Sequence, residues 1–175
     1  MSLRKLSECA MIAAIYTALS LALAPFSFGT VQVRVAEALC LLPVLSPTSV
    51  IGVTLGCAIT NAAGIAMGAS LLGPLDIVLG TFATLAAALL TRKLRRIKTK
   101  GLYLLSSLPP VILNAVIVGA ELTFAFSDGF SLPFFALQAA SVAIGELISC
   151  SILGIILVKA LERTGLDIKL FKRGN

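Results

Sequence analysis

The chain has 175 residues, of which 58% are hydrophobic and 13% are charged, with a mean hydropathy of +1.04 and a formal net charge of +6. A soluble domain carries roughly 25% charged residues, so this chain has too little polar surface to cover a globule in water. Its composition therefore excludes a soluble enzyme and predicts a single integral membrane domain over residues 1–175.

Six apolar segments follow one another along the chain, separated by glycines, prolines and charge clusters. A bilayer core about 30 Å thick needs about 20 helical residues, so the segments predict an all-α bundle of six transmembrane helices. The first segment imitates a signal peptide, but the chain stays apolar after it, and we interpret it as a retained helix. The predicted spans are 7–24, 35–45, 48–67, 75–91, 102–126 and 133–161.

The second and fifth spans contain prolines that disturb a regular helix. The second is short for a full crossing and ends near Pro43 and Pro47, which predicts a tilted or broken helix whose backbone is covered by its neighbours. In the fifth span, Pro109 and Pro110 predict a kink. The segment 26–34, which precedes the second span, has alternating apolar residues and predicts either a short hairpin lid or a loop.

Lysines and arginines cluster before the first span, between the fourth and fifth spans, and after the sixth. With six crossings these clusters lie on one side of the membrane, which the positive-inside rule makes cytoplasmic. Both termini are therefore predicted to be cytoplasmic, and the net charge suits anionic lipid rather than nucleic acid. The clusters are Arg4 and Lys5, then Arg92, Lys93, Arg95, Arg96, Lys98 and Lys100, and finally Lys159, Arg163, Lys169, Lys172 and Arg173.

Polar side chains inside the apolar spans are the candidates for function, because an acid at the centre of a span costs about 2.5–3.5 kcal/mol. The predicted topology gathers most of them in the outer half of the bundle. The membrane contains no lysine or histidine to neutralise the acids, although Arg34 could pair with one of them. The candidate substrate-binding residues are Arg34, Glu37, Asn61, Asp76, Glu121, Gln138 and Glu146.

The unpaired acids must be permanently protonated, take up and release protons during transport, or bind a positively charged or amidine-bearing ligand. A carboxylate accepts two parallel hydrogen bonds from the N–H pair of a guanine edge, as it does from a guanidinium. Structural roles stay open for three of the polar residues. Asp76 follows Gly73-Pro74 near a helix start, where a carboxylate suits the helix dipole, and Asn61 and Asn114 could form interhelical hydrogen bonds.

Small residues recur every four positions in two spans, at Ala10, Ala14 and Ala18 in the first and at Gly52 and Gly56 in the third. Such stripes let helices approach closely. Packing within the bundle is the default interpretation of a pattern this common, and contact with a partner helix is the alternative.

The sequence contains no G-x-x-x-x-G-K-[ST] phosphate loop, no nucleophile paired with a base, and no histidine. It therefore predicts no enzymatic activity, cofactor or metal site, and the energy for active transport must come from a partner or an ion gradient. The four cysteines lie far apart and are interpreted as small apolar packing residues. Because tryptophan is absent, interfacial anchoring falls to Tyr16, Tyr103, the phenylalanines and the basic residues.

Four stretches of the sequence together resemble the QueT family. They read VQVRVAEAL at 31–39, NAAG at 61–64, GPLD at 73–76 and AIGE at 143–146, and the arginine–alanine–glutamate run after the first span is the most specific of them. The resemblance extends over nearly the whole chain, including its length and six-helix layout. Members of this family are substrate-binding S components of energy-coupling factor (ECF) transporters of bacterial cell membranes, predicted to take up queuosine precursors.

The resemblance implies both partners and a ligand. The partners are a transmembrane T component and two ABC-type ATPases, with the A-x-x-x-A stripe of the first helix, here Ala10, Ala14 and Ala18, contacting the T component. The implied ligand is a 7-deazapurine such as 7-aminomethyl-7-deazaguanine or queuine. A guanine-like edge with a cationic amine suits the excess of acids.

Three alternatives remain at the level of sequence. An S component for another vitamin or base would share the architecture and the stripe but differ in its pocket. A small proton-coupled secondary transporter or channel would use the unpaired acids as proton sites. A structural membrane subunit would bind no ligand.

Overall fold

The structure is a computed structural model, which describes residues 2–24, 34–69, 72–99, 102–127 and 129–171. Helices make up most of these residues. In the same ranges, extended pairing is limited to one isolated antiparallel bridge between Thr99 and Leu102. The helices are α1 (Leu3–Ala22), a 3₁₀ helix η1 (Val35–Val44), α2 (Thr48–Ala66), α3 (Pro74–Leu94), α4 (Leu104–Phe126), α5 (Leu132–Thr164) and α6 (Leu166–Leu170).

Five of the described helices, α1 to α5, are long and apolar enough to cross a membrane. Their bounds lie within a few residues of the predicted spans, because the length of an apolar run and its flanking charges determine where a helix can enter lipid. The prediction of an all-α membrane protein is confirmed at this level. The second predicted span is the ten-residue η1, which is shorter than the other five.

Helices α1 and α2 pack side by side in the same direction. The Cys9 thiol donates to the carbonyl oxygen of Thr48 across 3.3 Å, and further along both helices the Thr17 hydroxyl donates to the carbonyl of Gly56 across 3.3 Å. A Cβ added at Gly56 would lie 2.7 Å from Cβ of Tyr16. The glycine is therefore required for the close approach of the two helices, in agreement with the packing interpretation of this stripe.

The 3₁₀ helix η1 occupies the centre of the bundle. It contacts α1, α2, α3, α4 and α5, and its residues from Ala36 to Val44 are buried. At its end the Arg92 guanidinium of α3 donates to the carbonyl oxygens of Pro43, at 3.0 Å, and Val44, at 3.4 Å. These carbonyls have no partner within the helix. As predicted, the short second segment is covered by its neighbours, and Arg92 supplies a protein partner to two of its backbone carbonyls.

Helix α4 is continuous through Pro109 and Pro110. A proline at position 110 has no N–H to offer the carbonyl four residues earlier, which belongs to Ser106. The Thr91 hydroxyl of α3 donates to that carbonyl across 2.8 Å. A neighbouring helix thus supplies the hydrogen bond that the proline removes, as buried backbone in a membrane requires.

Helix α5 contains a π-helical segment, Leu147–Leu153, between two α-helical parts. Its buried positions include the adjacent pairs Gly145–Glu146, Ser149–Cys150 and Gly154–Ile155, of which the first two pairs are four residues apart and the last two are five residues apart. A π segment accommodates such an extra residue. It thereby keeps the buried face of α5 turned toward η1, where a Cβ added at Gly154 would lie 3.1 Å from the carbonyl oxygen of Ala38.

One end of the bundle, which we call the basic end, gathers the two ends of the described chain and the connection between α3 and α4. The Arg4 guanidinium donates to the carbonyl of Lys169 across 2.7 Å. The Tyr103 hydroxyl donates to Glu162 across 2.8 Å, and the Lys98 ammonium lies 3.5 Å from the same carboxylate. A hydrogen bond with Tyr103 raises the pKa of Lys98 above its ordinary value.

Candidate functional site

Asp76 and Arg34 form a buried ion pair away from the basic end, at the start of α3. The Arg34 guanidinium and the Asp76 carboxylate lie 3.2 Å apart, with side chains 8% and 1% exposed. The Asn61 amide of α2 donates to the Asp76 carbonyl across 2.8 Å. Among the described acids of the apolar spans, Asp76, which is distant in sequence, is the one that forms an ion pair with Arg34.

Glu37, in the first turn of η1, is the second buried acid. The Tyr16 hydroxyl of α1 donates to Glu37 Oε1, and both side chains are almost completely buried. The interpretation of Tyr16 as an interfacial anchor is therefore wrong. Tyr16 lies in line with Cys9, Ile12 and Ser20 on the face of α1 that packs inward, and this helical spacing was the sequence signal that could have revealed its position.

Glu146 is the third buried acid and lies on α5, immediately before the π segment. The Asn114 amide of α4 donates to Glu146 Oε1 across 2.7 Å. Asn114 thus forms an interhelical hydrogen bond, which is the structural role that the sequence left open for it. Glu37 and Arg34 both act electrostatically on Glu146, so the three acids described so far belong to one neighbourhood.

Glu121 of α4 differs from the other acids. Its side chain is 6% exposed, and neither carboxylate oxygen has a hydrogen-bond partner among the described residues. Asp76 and Arg34 act electrostatically on it. Gln138 of α5 is half-buried and lies close to the same level, because its neighbour Ala139 packs against Gly119, where an added Cβ would lie 2.9 Å from Ala139 Cα.

These residues form what we call the acid cluster: Glu37, Asp76, Glu121 and Glu146 with Arg34 and Asn61. Four acids face one arginine. In the described part of the chain, the buried polar atoms of the cluster that lack a hydrogen bond are all oxygens, namely Glu37 Oε2, Asn61 Oδ1, Asp76 Oδ1, Glu121 Oε1 and Oε2, and Glu146 Oε2. Ionised carboxylates and amide oxygens accept hydrogen bonds and do not donate them. The cluster is therefore complementary to a ligand rich in N–H groups.

Other predicted features lie outside the acid cluster. The proposed lid segment 26–33 falls outside the described residues, and Arg34 is its first described neighbour. Ala10, Ala14 and Ala18 are exposed on α1, so in this chain alone they do not form a packing seam. The four cysteines are free and buried, as expected of packing residues. A cavity of about 870 Å³ opens at the basic end beside Ile155 and Lys159, and none of the candidate residues lines it.

Long apolar helices that enclose a cluster of buried acids define a multi-pass membrane protein with an internal polar site, and such intramembrane acids are typical of transport pathways. The family model described as QueT transporter matches residues 6–163. The chain therefore belongs to the QueT transporter family, and it is a transport protein rather than an enzyme. No curated protein and no solved structure matches it.

Proposed function

We propose that this chain is the substrate-binding S component of an ECF importer in a bacterial cell membrane, and that it takes up a queuosine precursor. Membership of the QueT transporter family supports a transport role with a small-molecule substrate. The observation that carries the proposal to a particular ligand is the acid cluster, whose unbonded buried atoms are hydrogen-bond acceptors.

The ligand proposed is a 7-deazapurine such as 7-aminomethyl-7-deazaguanine or queuine. Its guanine-like edge presents two parallel N–H donors, which match the two oxygens of one carboxylate. Its amine is a cation, which a second carboxylate of the cluster can hold. Asn61, Arg34 and Gln138 complete the proposed site, with Arg34 keeping Asp76 in place.

The proposed topology has six crossings and cytoplasmic termini. Contacts within the bundle support it, because α1 and α2 run in the same direction, and so do η1 and α3, which meet at Arg34–Asp76 near one end and at Val44–Arg92 near the other. Alternating crossings require this pattern, with η1 counted as the second. The contact between Arg4 and Lys169 keeps the two ends of the described chain together.

The proposed partners are a T component and two ABC-type ATPases, since the chain itself has no phosphate loop. Ala10, Ala14 and Ala18 form the proposed contact with the T component. Their exposure on α1, on a helix whose other face is occupied by α2, supports this assignment. Small side chains there allow a partner helix to approach closely.

The test is isothermal titration of the detergent-purified protein with 7-aminomethyl-7-deazaguanine and with its 7-cyano analogue, which lacks the ammonium. We expect both to bind and the aminomethyl compound to bind more tightly. If neither binds while thiamine or another vitamin does, the protein is an S component for a different substrate. If uptake in cells stops when the proton gradient collapses although ATP remains, the protein is a proton-coupled transporter.

A further inference from the structure

We propose that Glu121 is the residue that recognises the paired N–H donors of the ligand, while the other three acids hold the site together. The inference rests on the proposed function, because it concerns the same site and the same class of ligand. Its basis is that Glu121 alone, among the acids of the cluster, has both carboxylate oxygens buried without a hydrogen-bond partner in the described part of the chain.

Each of the other acids has one oxygen engaged by the protein. Tyr16 donates to Glu37, Asn114 donates to Glu146, and Arg34 pairs with Asp76. Each therefore has a single oxygen left for a ligand. A bidentate contact with two parallel N–H groups needs both oxygens of one carboxylate, so these three acids are suited to single contacts, such as one with an ammonium.

The position of Glu121 is consistent with a contact to the ligand. It lies seven residues after Asn114 on α4, which places the two side chains two turns apart on the same face of the helix. Asn114 is joined to Glu146, and Asp76 and Arg34 act electrostatically on Glu121. Glu121 thus lies on the face of α4 that is turned toward the other acids of the cluster, and it makes no hydrogen bond with the described residues.

A buried carboxylate without hydrogen bonds is costly to the folded protein. Bundle stability alone would favour a glutamine or an apolar residue at this position, so we assign the carboxylate to the ligand. When the ligand binds, its two N–H groups donate the hydrogen bonds that the Glu121 carboxylate lacks in the protein alone. These bonds form at a buried position from which water is excluded.

The experiment compares Glu121→Gln with the parent by isothermal titration of both compounds. Glutamine keeps the shape but loses the charge and one of the two acceptors. We expect E121Q to bind each compound about tenfold to a hundredfold more weakly, and by the same factor for both, because the aminomethyl and cyano compounds share the guanine-like edge. We also expect E121Q to unfold in detergent at a temperature no lower than that of the parent, since the buried charge is gone.

The matched control is Glu8→Gln, which removes another buried carboxylate. Glu8 adjoins Cys9, which contacts Thr48 at the start of α2, and Asn61 lies about 20 Å further along that helix. E8Q should bind both compounds like the parent. A loss in E121Q confined to the aminomethyl compound would assign Glu121 to the ammonium and overturn the inference, as would unchanged binding.

The two proposals fail in different ways. If the parent binds neither compound, the proposed substrate is wrong. The inference about Glu121 is then tested by the unfolding temperature in detergent, because it assigns the Glu121 carboxylate no role in stabilising the bundle. An E121Q variant that unfolds at a lower temperature than the parent would show that the carboxylate stabilises the bundle, and would overturn the inference whatever the substrate is.

Discussion

At the scale of single residues, the arrangement of Arg34 and Asp76 shows what the sequence did and did not predict. Both were candidates for function because a charged side chain in or beside an apolar span is costly to insert. Their pairing was not predictable, since Glu37 is only three residues from Arg34 whereas Asp76 is on another helix. The bond between Tyr16 and Glu37 was missed for the same reason. Sequence spacing reports neighbours within a helix, and these contacts join different helices.

We expect Asp76→Asn to lower the free energy of unfolding by about 3 kcal/mol, because it removes the charge opposite a buried guanidinium. Denaturant unfolding in detergent measures the change. Glu162→Gln is the comparison, since Glu162 pairs with the half-exposed Lys98 and Lys159 at the basic end and such pairs contribute about 1 kcal/mol or less. Equal losses in the two variants would show that the Arg34–Asp76 pair contributes no more than a surface pair.

At the scale of elements, helix positions followed from the sequence but helix types did not. Apolar length determines where a chain can enter lipid, and the five long spans agree with that rule. The 3₁₀ winding of η1 and the π segment of α5 depend on which carbonyl each N–H meets. Arg92 at the end of η1 and Gly154 beside Ala38 influence that choice through tertiary contacts, which hydropathy does not encode.

The close packing of α1 on α2 gives a prediction at this scale. Gly56→Ala should destabilise the protein by about 1–3 kcal/mol, because the new methyl would overlap Tyr16 and crowd the backbone of Ala13. Ligand affinity should fall together with stability, since the Tyr16 hydroxyl donates a hydrogen bond to Glu37. Denaturant unfolding and titration measure the two effects. Ala62→Val, which adds volume on the exposed face of the same helix, should change neither stability nor ligand affinity. A G56A variant that behaves like A62V would contradict the close contact of α1 with α2 at Gly56.

At the scale of the whole molecule, the positive-inside rule predicts the orientation that we propose. We expect a cysteine at position 98, in a cysteine-free background, to resist a membrane-impermeant maleimide in intact cells and to react after permeabilisation. A cysteine replacing the exposed Phe130, in the connection between α4 and α5, should react from outside. If position 98 but not position 130 is labelled in intact cells, the orientation is the opposite of the one proposed. If both positions are labelled, α4 does not make a single crossing between them.

The winding of η1 has a consequence for the whole bundle. A 3₁₀ helix rises about 2.0 Å per residue and an α-helix about 1.5 Å, so rewinding the ten residues of η1 into an α-helix would shorten it by about 5 Å. Arg92 holds the far end at Pro43 and Val44, and the shortening would therefore be felt at the end that carries Glu37. Such a change of winding would therefore shift Glu37 along the bundle axis relative to Arg92.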